Sequence, residues 1–193
     1  MADLGIPPFA RGRPRVERAV AFAAAHHEAQ RRASDAAQFL LHPLEVASLL
    51  VGRDFDDDVV AAGLLHDVVE KTDATLDDVR ADFGERTAGL VAAVTEDESI
   101  AEYEPRKEAL RRQVEAHGRD ALAVYAADKL AKTRELRSQA AREHVSLDDA
   151  TLQRRLVHYE DSLALLERAA PDLPLLGQLR FELWALRRLP PED

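Results

Sequence analysis

The chain of 193 residues contains no cysteine, which excludes disulfides, thiolate metal ligands and cysteine nucleophiles in one step. Glycine (8 residues) and aromatic residues (5%) are scarce while 46% of positions are hydrophobic, a balance that excludes collagen-like and disordered chains and leaves a globular, helical one. No apolar run approaches the roughly 20 residues that span a bilayer. The N-terminal segment, with Pro7, Pro8, Arg11, Arg13, Arg15 and Arg18, lacks the apolar stretch of a signal peptide. The expectation is a soluble, cytoplasmic protein with no membrane partner. Basic residues are outnumbered, 26 Lys and Arg against 36 Asp and Glu, and the net charge of −10 argues against an extended nucleic-acid partner, whose phosphates would need neutralising. A small phosphorylated ligand needs only a few local cations, so that class stays open. Oligomeric state is not legible in the chain.

Apolar residues recur at helical spacing without sustained strand alternation, so the expected fold class is all-α. Pro14 opens a helix predicted over 14–32; others are predicted over 42–51 and 57–71. The segment Thr75-Leu76-Asp77-Asp78 has the form of a capping box and predicts a short helix just after Thr75. One more is predicted over 85–94, ahead of the acidic loop Thr95-Glu96-Asp97-Glu98-Ser99. Helices are further expected over 106–116, through Asp128 with a continuation over 128–142, and over 147–169 and 175–189, the last two separated by Pro171-Asp172-Leu173-Pro174. No repeat or composition shift divides the chain, and its length suits one domain. Residues 1–193 therefore read as a single compact helical bundle whose C-terminal helices, about 147–189, form a packing layer.

Within the apolar run from Val59 to Val69 stands the pair His66-Asp67. A buried carboxylate must be compensated or protonated, and a divalent cation accepts both a neutral imidazole and an ionised carboxylate. Two other small-residue runs end in similar groups: Ala19 to Ala25 leads into His26-His27, and Ala121 to Ala127 leads into Asp128. Glu70 follows His66 by one helical turn, so on a continuous helix His66, Asp67 and Glu70 share a side. That places an acid/base beside the candidate metal.

The constellation resembles the HD-domain metal phosphohydrolases, and among them the RelA/SpoT-type alarmone hydrolases and their small stand-alone relatives. The resembling stretches are His27-Glu-Ala-Gln-Arg-Arg32, Phe39-Leu-Leu-His-Pro43, Ala61-Ala-Gly-Leu-Leu-His-Asp-Val-Val-Glu70, Phe83-Gly84 with Leu90-Val-Ala-Ala-Val-Thr95, and Ala127-Asp-Lys-Leu130, covering about 18–135. The resemblance implies His27, His66, Asp67 and Asp128 as metal ligands, with Mn²⁺ preferred; the mixed nitrogen and oxygen donors also admit Fe²⁺, Co²⁺ or Zn²⁺. His27 is favoured over His26 because it precedes Glu-Ala-Gln in the family's His-Glu-x-Gln pattern. His42 reads as a helix-start residue or a partner behind the ligands, and His117, His144 and His158 as surface or structural groups. Glu70 is the candidate base that orients and deprotonates water.

The departures concern the nucleotide pocket more than the metal. Where the family follows its His-Asp pair with Val-x-Glu-Asp-Thr, this chain has Val68-Val69-Glu70-Lys71-Thr72, reversing a charge at Lys71. The family's Tyr-Ile-Asn/Thr-His-Pro is Phe39-Leu40-Leu41-His42-Pro43, and Lys132 replaces the Asn that follows Asp-Lys-Leu. Arg31, Arg32, Lys71, Arg111, Lys132 and Arg134 are candidate substrate contacts. The implied function is metal-dependent hydrolysis of a small phosphorylated nucleotide, foremost a guanosine 3′-pyrophosphate alarmone, ppGpp or pppGpp, with release of pyrophosphate. The alternatives are a phosphohydrolase for another nucleotide, or a metal-bearing nucleotide sensor with weak or no turnover, for which Lys71 is the warning sign.

Overall fold

The computed structural model describes residues 5–143 and 150–188, and these form only helices, turns and one isolated bridge. In chain order the helices are α1 Pro14–His26, α2 Leu41–Val51, α3 Asp57–Leu65, α4 Val68–Lys71, α5 Leu76–Val94, α6 Tyr103–Ala116, α7 Arg119–Glu143, α8 Ala150–Ala169 and α9 Leu176–Leu186. The all-α expectation holds. His144, and the predicted helix ends at 147 and 189, lie outside the described residues.

The organising element is α7. Every residue from Ala121 to Ala131 is buried, so this stretch is surrounded by protein on all sides, as a helix apolar around its whole circumference must be. It packs against α2, α3 and α5 on the N-terminal side of the chain and against α8 and α9 on the other. The C-terminal helices α8 and α9 thus form a layer on α7. Arg134 fastens that layer: its guanidinium donates to Glu182 of α9 (3.2 Å) and to Glu45 of α2 (3.4 Å).

Helices α2 and α3 approach closely at Gly63, where an added Cβ would stand 2.6 Å from Leu50 Cδ1 and 3.3 Å from Val46 Cγ1. The glycine therefore sets how near the two helices come.

Four predicted helices differ in extent or continuity. The first stops at His26 instead of continuing to residue 32; the following chain turns back on itself through Arg32 N–H to Ala37 C=O (2.8 Å) and the bridge between Arg31 and Gln38. The helix expected over 57–71 breaks at His66-Asp67 into α3 and the single turn α4. The two short helices expected over 75–94 are joined into α5, with a kink at Gly84 (φ 82°, ψ 172°). The Thr75 capping box forms as expected, its hydroxyl accepting from Asp78 N–H while the Asp78 carboxylate accepts from Thr75 N–H. Among the described residues no helix is long and apolar enough to cross a membrane.

The Gly84 conformation is one that side-chain-bearing residues scarcely reach. Beyond its chain neighbours, no atom of the described residues stands within 4 Å of the place a Cβ would take. Gly84→Ala therefore isolates backbone strain from steric contact, and should lower unfolding free energy in urea by about 1–3 kcal/mol with an unchanged m-value.

Candidate metal centre and its cavity

The first turn of α2 carries His42, the junction of α3 and α4 carries His66 and Asp67, and the middle of α7 carries Asp128. All four side chains are buried. His42 Nε2 lies 3.2 Å from His66 Nε2 and 3.1 Å from Asp128 Oδ1. His66 Nε2 is 3.3 Å from Asp128 Oδ1 and 3.4 Å from Asp67 Oδ2, and His42 Nε2 is 3.7 Å from that same oxygen. The break in the helix at His66-Asp67 has a function in this geometry, since it lets both adjacent side chains turn toward one point.

The donor chemistry fits a divalent cation. His66 Nδ1 lies 2.8 Å from the Gly63 carbonyl, which can only accept, so the ring proton sits on Nδ1 and the Nε2 lone pair faces the cluster. That lone pair converges with a second imidazole and two carboxylates. Among the described residues the buried Asp67 Oδ2 has no well-aligned hydrogen bond, although Lys71 Nζ stands 2.7 Å away. Burial alone would raise the Asp128 carboxyl, but the ammonium groups of Lys129 and Lys132 hold it well below the usual carboxylate range. Asp67 behaves likewise: burial opposes ionisation, and His66, Lys132 and Lys71 overcome it. Burial lowers His42, favouring the neutral form a metal requires.

Of the four expected ligands, the structure brings His66, Asp67 and Asp128 together, with His42 rather than His27 beside them. His42, His66 and Asp128 each place a donor atom within 4.8 Å of the others, and Asp67 touches both histidines, whereas His27 lies outside that group. The reason is the early end of α1. His27 is its C-cap, and its Nδ1 is tied to Gln30 Oε1 (2.8 Å), while Gln30 Nε2 donates to the Lys71 carbonyl (2.6 Å). His27 and Gln30 thus brace the end of α1 against α4. His27 Nε2 is buried without a partner among the described residues, which makes it the rival donor to His42. The signal for His42 stood in the sequence as the histidine of Phe-Leu-Leu-His-Pro. His26 lies 3.3 Å from Asp73, away from the cluster, and His117 is exposed.

Beside the cluster opens a cavity of about 510 Å³ lined by His42, Glu70 and Lys71 and by residues of α6, α7 and α8. Its walls carry seven cations (Arg31, Arg32, Lys71, Lys107, Lys129, Lys132, Arg155) against three carboxylates (Glu70, Glu96, Glu135), a local excess of positive charge in a chain of net charge −10. Glu70 is half-buried and accepts from the Glu96 backbone N–H at 3.4 Å. Lys71 reaches inward to Asp67 and over the Phe39 ring, 4.8 Å from its centroid. Lys132 and Lys129 reach Asp128 Oδ1 and Oδ2, both at 2.9 Å. Two of the six candidate substrate contacts do not line the cavity: Arg134 is the clamp onto α9, and Arg111 donates to His158 Nδ1 at 3.0 Å and pairs with Asp161. Lys107, Lys129 and Arg155, which do line it, were not singled out by the sequence; only Lys129 had a signal, within Asp-Lys-Leu.

The sequence profile described as HD domain matches residues 19–153, well over half of the chain. The chain belongs to the HD-domain family. Its HD-domain relatives include mouse guanosine-3′,5′-bis(diphosphate) 3′-pyrophosphohydrolase MESH1, 40% identical over 121 residues that make up 60% of this chain and 65% of the mouse protein. A probable enzyme of the same name from Synechocystis is 47% identical over 78 residues, 40% of this chain and 10% of that protein. The chain thus spans less than two thirds of these relatives. Among solved structures, that of a metazoan orthologue of SpoT, which hydrolyses ppGpp, matches with a TM-score of 0.75 and 27% identity, covering 91% of this chain and 97% of the other.

The geometry distinguishes the two histidines experimentally. His42→Ala should abolish stoichiometric binding of Mn²⁺ in a calorimetric titration, and His66→Ala and Asp128→Ala should do the same. His27→Ala should keep it. Stoichiometric metal in His42→Ala, with loss in His27→Ala, would restore the ligand set expected from sequence.

Proposed function

We propose that this chain, acting as one HD-type domain in the cytoplasm, is a metal-dependent 3′-pyrophosphohydrolase of a guanosine alarmone, ppGpp or pppGpp. The observation that carries the reading is the cation-lined cavity meeting the His42, His66, Asp67 and Asp128 cluster. A ligand for it must be small and strongly anionic. The names of the MESH1 relatives and the matching structure supply the specific nucleotide. Mn²⁺ is the favoured metal, and Fe²⁺, Co²⁺ and Zn²⁺ suit the same donors.

The chemistry follows from the residues. Two neutral imidazoles and two carboxylates would hold the cation and balance its charge. When bound, it polarises the phosphoryl group and lowers the pKa of a water. Glu70, at the cavity wall beside Lys71, is placed to orient a water and take its proton as the oxygen bonds to the phosphorus attached at the 3′ position. The bond from that phosphorus to the 3′ oxygen breaks, the 3′ oxygen takes up a proton, and pyrophosphate leaves. Lys129 and Lys132, kept charged by Asp128 despite burial, offset the negative charge of the phosphates.

One observation favours the sensor reading. The Lys71 ammonium, where the resembling family has a carboxylate, pairs with Asp67 and so competes with a cation for that oxygen.

Multiple turnover of ppGpp to GDP and pyrophosphate by Mn²⁺-loaded protein tests the function directly; stoichiometric binding without turnover selects the sensor instead. Glu70→Gln keeps shape and hydrogen-bonding reach but loses the base, so metal should bind while kcat falls roughly 10²–10⁴-fold. An unchanged kcat removes Glu70 from the water-handling step. Lys71→Asp relieves the competition at Asp67, and should tighten Mn²⁺ binding in the same titration; weaker binding would show that Lys71 supports the site.

A further inference from the structure

The acidic stretch Thr95-Glu96-Asp97-Glu98-Ser99 that joins α5 to α6 meets the proposed base at one point. The backbone N–H of Glu96 donates to Glu70 Oε2 at 3.4 Å, and both residues line the cavity. A hydrogen bond of that length is weak and cannot hold the chain in place by itself. The chain is held from elsewhere. The Glu96 N–H and the Thr95 C=O belong to one planar trans peptide group, so fixing the direction of either fixes the other. Gln113 Nε2, on α6, donates to that Thr95 carbonyl at 2.9 Å and stands 2.9 and 3.1 Å from the Ala92 and Ala93 carbonyls. Three carbonyls around one amide admit only its NH₂ end, which decides how the side chain is turned.

Further contacts act on the two residues that flank the peptide. Thr95 Oγ1 donates to the Val91 carbonyl at 2.8 Å, and the Glu96 carboxylate accepts from Arg106 Nε at 2.9 Å and from the Lys107 ammonium. Burial opposes ionisation of that carboxyl, and Lys107 and Arg106 overcome it, holding it below the usual carboxylate range. Arg106 also donates to the Ile100 and Ala101 carbonyls at 2.9 and 3.2 Å, tying the far end of the connection to α6.

We propose that Gln113 and Glu96 are positioning residues for Glu70, acting through the peptide group between Thr95 and Glu96, a role that rests on the reading of Glu70 as the base. A carboxylate with one oxygen on a fixed N–H presents its second oxygen in one direction. Released, it turns about its side-chain bonds and meets a water in the reactive orientation less often. Gln113 does not itself line the cavity, so it reaches the reaction only through what it holds. The acidic connection is thus a brace rather than a rim, and α6 steadies a group that α4 carries.

The test is steady-state hydrolysis of ppGpp by Mn²⁺-loaded wild type, Gln113→Leu and Glu96→Ala, each also combined with Glu70→Gln. Gln113→Leu keeps most of the side-chain bulk and loses the donors; it should lower kcat roughly 10–100-fold, the scale of a catalytic group misplaced by about 1 Å, with KM no higher than that of wild type. Glu96→Ala loosens the same peptide from its other flank and should do likewise, and it keeps the test valid if the leucine variant misfolds. In the Glu70→Gln background neither substitution should lower kcat further, because the restraint then has no base to hold. Equal losses in both backgrounds would make the two residues structural, and a rise in KM with kcat retained would make them binding residues; either overturns the proposal. Wild-type kcat in both single variants overturns only the roles of Gln113 and Glu96. An unchanged kcat in Glu70→Gln removes the base and its brace while leaving the hydrolase. Wild-type protein that does not turn over ppGpp overturns the function reading and this role together.

Discussion

Two ionised carboxylates, Asp67 and Asp128, are enclosed by helices and face two imidazoles at 3.1–3.7 Å, and much of the surrounding architecture answers to them. Two carboxylates removed from water into one cluster lose their hydration and repel one another unless positive charge is brought in. The protein brings three ammonium groups, from Lys71, Lys129 and Lys132, and arranges lone pairs for a cation besides. Packing serves the same end. Gly63 lets α2 close on α3 so that His42 reaches His66, and the alanine-rich turns before Asp128 let α7 pass through the centre of the bundle.

The parts of this arrangement legible in the sequence are those written in local pattern. The helices, the Thr75 cap, the pair His66-Asp67 and the acid at Asp128 all follow from spacing and from the cost of burying charge. What escaped was decided by tertiary geometry. His42 is at the cluster and His27 is not, because His27 is tied to Gln30, which itself bonds to the Lys71 carbonyl, a contact 41 residues distant in the chain. The break at His66-Asp67 has no glycine or proline to announce it; it follows from the need of both side chains to face one point. Lys107 and Arg155 look like ordinary solvated charges in their own segments, and only the packing of α6 and α8 against α7 brings them to the cavity.

Arg111 and Arg134 show a related lesson about cations in a phosphate-binding protein. Both are basic residues on helices near the site, and the structure uses both to hold other parts in place. Arg134 ties α7 to α9 and α2, and Arg111 fixes one ring on α8. The cations that line the cavity are instead on the α1–α2 connection and on α4, α6, α7 and α8.

The cation-rich cavity is set in a molecule of net charge −10, and this opposition bears on how an anionic ligand arrives. Beyond the screening length, about 8 Å in physiological salt, the repulsion of a polyphosphate by the whole molecule is largely screened; close to the cavity mouth the cationic walls dominate. Diffusional capture then begins only at short range, and the surface field acts as a filter on trajectories rather than a funnel. Added salt has opposing effects in such a protein, easing the long-range approach of the ligand while loosening its hold once it has entered.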